Sequence, residues 1–386
     1  MNHAKGVDIG MGIPIYFSFG RIEMHLTIQL AGMGGQRSDI LIEEGAMNRL
    51  LCDLESFLGG RKAFWIWDER VAALWMDRGL ELGWPVGGSD VTIRYRSSES
   101  NKRLATVEML ARKLIDAGAD RGSALVAVGG GVTGDLVGFL AAVFMRGIPC
   151  FQVPTSLLAQ VDSSIGGKTG VDLPEGKNLL GAFHQPRAVW IDPGFLKTLP
   201  PEEMRQGMAE VIKTAMIGDE VLWKFVESHS DAIAKRDSEA LSRVISACCI
   251  FKASVVEGDE KESGRRRILN FGHTVGHAIE KVSDYAIPHG DAVAMGMMAV
   301  TSLAVSWGRF PAADLARLEK LCAFWELPTR LPRALDRRRI LAALSADKKK
   351  VSGFLHFVLP VRIGETVEVV NPNLDDLERV LLSLIA

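Results

Sequence analysis

Several common features are missing from this 386-residue sequence. Its five cysteines, at positions 52, 150, 248, 249 and 322, are odd in number and lack paired metal-ligand spacing. That excludes a disulfide scaffold and a cysteine zinc knuckle, and it suits thiols packed as small apolar groups in a reducing compartment. Net charge is nearly absent as well, at −2, so no bulk electrostatic pull toward nucleic acid or anionic lipid is expected. The longest uncharged run, 292–308, is too short and too broken by Gly, Ser and Thr to span a bilayer; it reads as a buried core helix. There is no internal repeat and no low-complexity tract. The expected compartment is the cytoplasm, with neither nucleic acid nor membrane as a partner.

What remains is ordinary globular composition, 47% hydrophobic and 24% charged, in a chain long enough for two domains. Residues 7–20 contain an apolar stretch, but Asp8 interrupts it and no small-residue cleavage site follows, so 1–37 is read as a loose extension of unknown role. From there, β-rich runs at 63–68, 91–95, 125–131, 151–156 and 188–193 alternate with helical spacing at 103–119 and 135–147. Such alternation predicts an α/β domain over 38–198, Rossmann-like, with a largely parallel sheet and ligands at the carboxyl ends of its strands. After Pro200-Pro201, a good helix start followed by two glutamates, the pattern turns helical, with little strand signal until 354–360. A mostly α-helical domain over 199–386 is expected, with the cleft between the domains as the default site.

Four stretches carry chemistry. "VGGGVTGD" (128–135) sits where a strand runs into a helix; its glycines either allow close approach of a pyrophosphate to unpaired N–H groups or serve only a tight turn, and the bland reading of Asp135 is an N-terminal helix acid. "VDSSIGGKTGVD" and "PEGKNLLGAFHQP" place Lys168 and Lys177, with Asn178, in what read as Gly- and Ser-rich loops suited to phosphate or carboxylate. "GMAEVIKTAM" sets Glu210 and Lys213 three apart on an apolar helix, where a surface ion pair and a partly buried functional pair are equally good readings. In "RRRILNFGHTVGHAIE", His273 and His277 fall on one helical face, and His289 follows beside Gly290. Glu210 and these three histidines are more than enough for a His₂Glu metal centre, and spacing leaves open which three would bind.

Together these stretches, with "MRG", "PTSLLAQ", "LKTLP", "PHGDAVAMGM" and "DKKK", closely resemble the 3-dehydroquinate synthase family from about Asp68 to Pro360. The resemblance implies a Rossmann-like NAD domain, a helical second domain, one zinc or cobalt ion and a homodimer. It assigns Glu210, His273 and His289 to the metal, and His277 and Glu262 to proton handling. Lys168, Asn178, Lys213, Lys252, Arg266 and Asn270 match positions that hold substrate phosphate, carboxylate and hydroxyls; Arg146, Asp162 and Lys348 or Lys349 match further contacts. For NAD the matching positions are Asp68, Glu99, Lys102, Gly130, Gly131, Asp135, Thr155, Ser156, Lys177 and Thr198. The implied reaction converts 3-deoxy-D-arabino-heptulosonate 7-phosphate to 3-dehydroquinate and phosphate. Two positions depart from the family pattern, both on the expected adenosine side: Ser98 where the family usually has Gly, and Arg70 where it commonly has Asn. The rival readings are an aminodehydroquinate synthase or another sugar-phosphate cyclase, a metal-dependent alcohol or glycerol dehydrogenase, and a catalytically dead sensor. Arg266, Asn270 and His277 match the dehydroquinate form.

Overall fold

In the computed structural model the chain separates into two compact units, residues 1–200 with 236–261, and residues 201–235 with 262–386. The structure describes residues 5–8, 14–18, 21–30, 36–45, 50, 54, 56, 58–77, 91–262, 264–350 and 354–385.

The first unit is organised by a nine-stranded sheet in the order β1-β2-β3-β4-β11-β8-β7-β5-β6. Its central strands are β5 (Ala63–Asp68), β7 (Ala124–Gly129), β8 (Cys150–Pro154) and β11 (Ala188–Ile191), and every residue of these four is buried. Continuous apolar runs of this kind belong to parallel strands covered on both faces. β5 pairs in parallel with β7 on one side and with β6 (Val91–Tyr95) on the other. The chain therefore reverses direction across the sheet at β5, and the crevice outside the carboxyl ends of β5 and β7 is the topological switch point where doubly wound sheets take ligands. Helices α1 (Glu69–Trp75), α2 (Leu104–Asp116) and α3 (Gly131–Val143) follow β5, β6 and β7.

At the other side of the sheet, β4 (Gln36–Ile42) pairs in parallel with β11 and antiparallel with β3 (Arg21–Leu30), and β2 (Pro14–Ser18) and β1 (Lys5–Asp8) continue the meander. This corrects the reading of 1–37 as a loose extension, since ten residues of β3 add a full strand to the sheet. A second correction concerns the Lys168 and Lys177 segments. They are not loops but a twisted hairpin of β9 (Lys168–Leu173) and β10 (Gly176–Phe183). Gly170 faces Gly181 across it, and a Cβ on either would lie 2.7 or 2.4 Å from a carbonyl of the opposite strand.

The second unit is helical, with a β12–β13 hairpin (His356–Arg362 and Glu365–Val370). Its helices include α4 (Pro201–Gly218), α5 (Glu220–Ala234), α7 (His273–Val282), α8 (His289–Ser306), α9 (Ala312–Phe324), α10 (Arg337–Lys350) and α11 (Leu374–Ser383). Between α5 and α7 in the chain, α6 (Ser238–Gly258) clusters with the first unit, so the helical texture that begins at 199 does not mark a single break. Arg236 donates to the carbonyls of Leu196, Lys197 and Leu199, and Cys249 Sγ lies 3.3 Å from the Gln160 carbonyl, which ties α6 to the sheet unit.

α8 is the core helix expected from the uncharged run, buried at thirteen of its eighteen positions. Its approach to α7 is set by glycines. A Cβ at Gly296 would stand 2.0 Å from the Gly272 carbonyl oxygen, and one at Gly276 would stand 3.0 Å from that of Ala292. Gly272 itself adopts φ +75°, which favours glycine. Replacing Gly296 by Ala drives a methyl into backbone, and we expect urea unfolding to show a loss of about 2 kcal/mol or more. Gly258→Ala, whose methyl meets nothing within 4 Å, serves as the control and should stay within about 0.5 kcal/mol.

Candidate functional site

Two clusters emerge, one in each unit. In the sheet unit the residues gather at the carboxyl ends of β5, β6 and β7. Asp68 ends β5, is 4% exposed and caps α1 by accepting from the Arg70 amide. The Arg70 guanidinium reaches back to Asp68 Oδ2 and to the Ser97 carbonyl, each at 3.3 Å. β7 runs into α3 through Gly129, Gly130 and Gly131. A Cβ on Gly129 would meet Thr133 Oγ1 at 2.4 Å, and one on Gly131 would meet Ser163 Oγ at 2.9 Å. Gly130 caps α3 without a side-chain hydrogen bond, so the first amides of that helix have no internal side-chain acceptor at the cap.

Beside this corner, Lys102 Nζ lies 2.5 Å from both Asp135 Oδ2 and Asn178 Oδ1. Burial alone would lower the Lys102 ammonium, but the Asp135 charge outweighs it and holds it above its ordinary value. Burial pushes the Asp135 carboxyl up, with Lys102 pulling against it. Asp135 is therefore the partner of a buried lysine in the second turn of α3, not a helix-cap acid. Asn178 adopts φ +55° and its amide donates to Asp172 Oδ1, which fixes it at the hairpin bend. Lys177 Nζ is 3.3 Å from Glu99 Oε1. Thr155 and Ser156 are buried just after β8, and Thr198 Oγ1 accepts from Trp75 Nε1 at 3.0 Å.

Also in this unit, Lys252 on α6 donates to the Asp162 carbonyl and carboxylate at 2.6 and 2.7 Å. Lys168 is exposed at the start of β9. Arg146 is exposed, with φ +72°, and lines a cavity of about 300 Å³ with Arg37, His184 and Arg187.

In the helical unit, α4, α7 and α8 bring Glu210, His273 and His289 together. The Glu210 side chain is 1% exposed, and Nε2 of both histidines lies 3.5 Å from its Oε1. Lys213 Nζ is 2.5 Å from Oε2, itself 2% exposed, so the pair is fully buried. Despite these close charges, neither Glu210 oxygen has a well-directed hydrogen bond. Burial would raise the Glu210 carboxyl, but Lys213 and the two imidazoles hold it well below the usual carboxylate range. Burial drives His273 down to about 3, against the pull of Glu210. His289 goes the other way: burial opposes, yet Glu210 and Glu280 lift it to about 9.

Position on the helices explains the geometry. His273 starts α7 and its Nδ1 lies 3.1 Å from the Phe271 carbonyl, which can only accept, so Nε2 is the lone-pair nitrogen when the ring is neutral. His289 starts α8, whose first turn is fastened to α4: Gln206 Oε1 accepts from the Gly290 amide, and Arg205 and Gln206 both donate to Asp291. Tetrahedral zinc with bonds of about 2.0–2.1 Å has donor–donor edges of roughly 3.4 Å. The two 3.5 Å separations and the unsatisfied Glu210 oxygens match that requirement, so this His₂Glu set fits a divalent ion.

Around it, the His277 ring centre is 5.3 Å from that of His273 and 6.1 Å from that of His289, and His277 is exposed. Asn270 Nδ2 donates to Glu262 Oε1 at 2.5 Å, and Glu262 holds φ +59°. Arg266 is 2% exposed on the helical turn Arg265–Asn270. Lys348 lies in the last turns of α10, where side chains fall outside the described residues. Two residues escaped the sequence reading. Asp172 fixes Asn178, and Glu280 faces His289 Nδ1. Glu280 had a signal, for His273, His277 and Glu280 stand at i, i+4 and i+7 on one helical face.

Comparison with known proteins covers both units. The sequence models "3-dehydroquinate synthase N-terminal" and "3-dehydroquinate synthase C-terminal" match residues 92–206 and 207–350. A curated 3-dehydroquinate synthase from Pelobacter propionicus is 44% identical over 348 residues, 89% of this chain and 96% of that protein. The chain belongs to the 3-dehydroquinate synthase family. Among solved structures, the family fold is shared with a 2-epi-5-epi-valiolone synthase from Streptomyces hygroscopicus subsp. jinggangensis, which was solved with NAD⁺ and Zn²⁺ bound. The TM-score is 0.81 at 29% identity, over 90% of this chain and 96% of that one. A 2-deoxy-scyllo-inosose synthase, complexed with carbaglucose-6-phosphate, NAD⁺ and Co²⁺, also gives 0.81, at 27% identity over 94% and 100%. Among the described residues no helix is long and apolar enough to cross a membrane.

The His289 shift has a measurable consequence. Glu210 and Glu280 favour the protonated form of His289, lifting it to about 9, so an ion taken up by Nε2 would displace that proton. Zinc titration at pH 7 in weak buffer should release about one proton per ion, and affinity should rise about tenfold per pH unit between 7 and 9. A pH-independent affinity would contradict this charge state.

Proposed function

We propose that the protein is a 3-dehydroquinate synthase that converts 3-deoxy-D-arabino-heptulosonate 7-phosphate to 3-dehydroquinate and inorganic phosphate, with NAD and one divalent ion, zinc or cobalt. The observation that carries this reading is the Glu210–His273–His289 set, gathered on a buried carboxylate, in a chain aligned with almost the whole length of a 3-dehydroquinate synthase. Lys213 and Lys252 are buried against Glu210 and Asp162, and with Arg266 they add cations that a phosphate and a carboxylate of the substrate would meet.

When bound, NAD⁺ supplies a hydride acceptor that is restored within the turnover, and the ion supplies a Lewis acid for an alcohol or carbonyl oxygen. The residues of the chain do the rest. Glu210, His273 and His289 hold the ion. Gly130, Gly131, Asp68, Glu99, Lys102, Asp135, Thr155, Ser156, Lys177 and Thr198 would hold the dinucleotide, the free amides of the turn before α3 being suited to a pyrophosphate. Lys168, Asn178, Lys213, Lys252, Arg146, Asp162, Arg266 and Lys348 bind and orient the substrate's phosphate, carboxylate and hydroxyls, so that charge developing at the leaving phosphate meets fixed cations.

Once a secondary alcohol of the substrate is a ketone, the neighbouring C–H is acidic, and phosphate leaves by β-elimination as that proton is taken up. With the alcohol restored by the hydride chemistry that bound NAD would supply, ring opening and an aldol closure would form the carbocycle. His277 handles protons at the exposed rim of the helical cluster, and Glu262, oriented by Asn270, is the second proton-handling group. The net reaction is redox-neutral and eliminates phosphate, which makes the enzyme a carbon–oxygen lyase. It works as a homodimer in the cytoplasm.

The deciding assay gives zinc-loaded protein the heptulosonate phosphate and substoichiometric NAD⁺, then measures phosphate and NADH. Phosphate in excess of the NAD⁺ added, with no build-up of NADH, is expected; stoichiometric NADH would instead mark a dehydrogenase. His273→Ala should lose the ion, whereas His277→Ala should keep it and lose turnover by about 100-fold or more. Equal metal loss in both variants would contradict the division of roles.

A further inference from the structure

Glu280 carries a polar side chain on the face of α7 that also bears His273 and His277. It is 3% exposed and flanked by Ile279 and Val282, which are buried. A carboxylate taken out of water among apolar neighbours is retained only where polar partners meet it. One of them is His289: Glu280 Oε2 lies 3.4 Å from Nδ1, while Nε2 of the same ring lies 3.5 Å from Glu210 Oε1. The imidazole is thus strung between two buried carboxylates, one at each nitrogen.

We infer that Glu280 is the positioning residue of the metal centre: it accepts the Nδ1 proton of His289 and so fixes Nε2 as the ring's coordinating nitrogen. The inference rests on Glu210, His273 and His289 being the ligands. His273 supplies the internal comparison. Its Nδ1 meets the Phe271 carbonyl at 3.1 Å and its Nε2 is likewise 3.5 Å from Glu210 Oε1. Both rings therefore present the same atom to Glu210, each set by an acceptor behind it, but only His289 has a charged acceptor. A carboxylate in that place orients the ring and also makes Nε2 a stronger donor.

The geometry contains one competitor, since donor atoms of His277, Glu280 and His289 also lie within 4.8 Å of one another. An ion held there would have to take Nδ1 of His289, draw on the exposed His277, and leave the buried Glu210 carboxylate without its second imidazole. The positioning role keeps all three donors of the Glu210 set in use.

Two variants separate orientation from charge. Glu280→Gln keeps an oxygen that accepts from Nδ1, and Glu280→Ala removes it. Zinc affinity is measured by competition with a chromophoric chelator, and the site geometry by the visible absorption of the Co²⁺-loaded protein. Circular dichroism of the metal-free forms checks that each variant is folded. Glu280→Ala should weaken zinc binding by about 10- to 100-fold and shift the Co²⁺ bands, and Glu280→Gln should recover part of the affinity and most of the spectrum. Wild-type affinity and spectra in both variants would overturn the inference. So would Co²⁺ bands showing the loss of one protein donor in Glu280→Ala and equally in His277→Ala, since Glu280 would then be a ligand. If Glu280→Ala does not fold, Glu280→Leu, which also lacks an acceptor, takes its place, and wild-type affinity and spectrum in it overturn the inference. A wild-type protein that takes up no zinc would defeat the metal reading itself, an outcome distinct from failure of the Glu280 role.

Discussion

A carboxylate that is 1% exposed sets the terms for the helical unit. Desolvating Glu210 costs several kcal/mol unless opposite charge stands against it. Lys213, one turn on, and the two imidazoles from α7 and α8 provide that charge. Three helices must therefore meet at one oxygen pair, and the glycines at 272, 276 and 296 are what let α7 and α8 come close enough. Packing and chemistry share a single constraint here. The helix contact that buries α8 against α7 is the one that delivers His289 to Glu210.

Much of this was legible in the sequence, and the parts that were not have physical reasons. The central strands could be read because they are buried on both faces and so are nearly continuous apolar runs, as "AFWIW" and "LVAVG" are. The hairpin of β9 and β10 was invisible because its glycines imitate a loop. Gly170 and Gly181 are there so that two strands can touch, which is a property of the pairing and not of either segment alone. α6 was legible as a helix, but its allegiance was not, since that depends on Arg236, Cys249 and Lys252 finding partners some 40 to 90 positions back in the chain. The N-terminal strands were missed for a related reason. Their only local signal is an apolar stretch, and a strand added to an existing sheet borrows its hydrogen bonds from a neighbour.

The site followed the same division. Histidines one turn apart, a glycine corner after a strand, and a Glu–Lys pair on an apolar helix can all be seen in a short window. Which groups meet each other cannot. Spacing left four candidates for three ligand places, and the fold puts Glu210, His273 and His289 in one cluster with His277 at its exposed edge. Asp135 likewise reads as an ordinary helix acid until Lys102, thirty-three positions earlier, is found against it. Glu280 could have been caught by carrying the His273–His277 period one step further.

Placing His289 at the first position of α8 has a kinetic side. Helix ends fray, and a donor on a terminal residue would ordinarily come and go with that motion. Here the end is fastened across to α4 through Gln206, Arg205 and Asp291. Residence of anything held by His289 is then governed by how often that first turn opens, an event slower and rarer than the swing of one ring. An ion held by His289 would then leave on the timescale of the helix end and not of the imidazole.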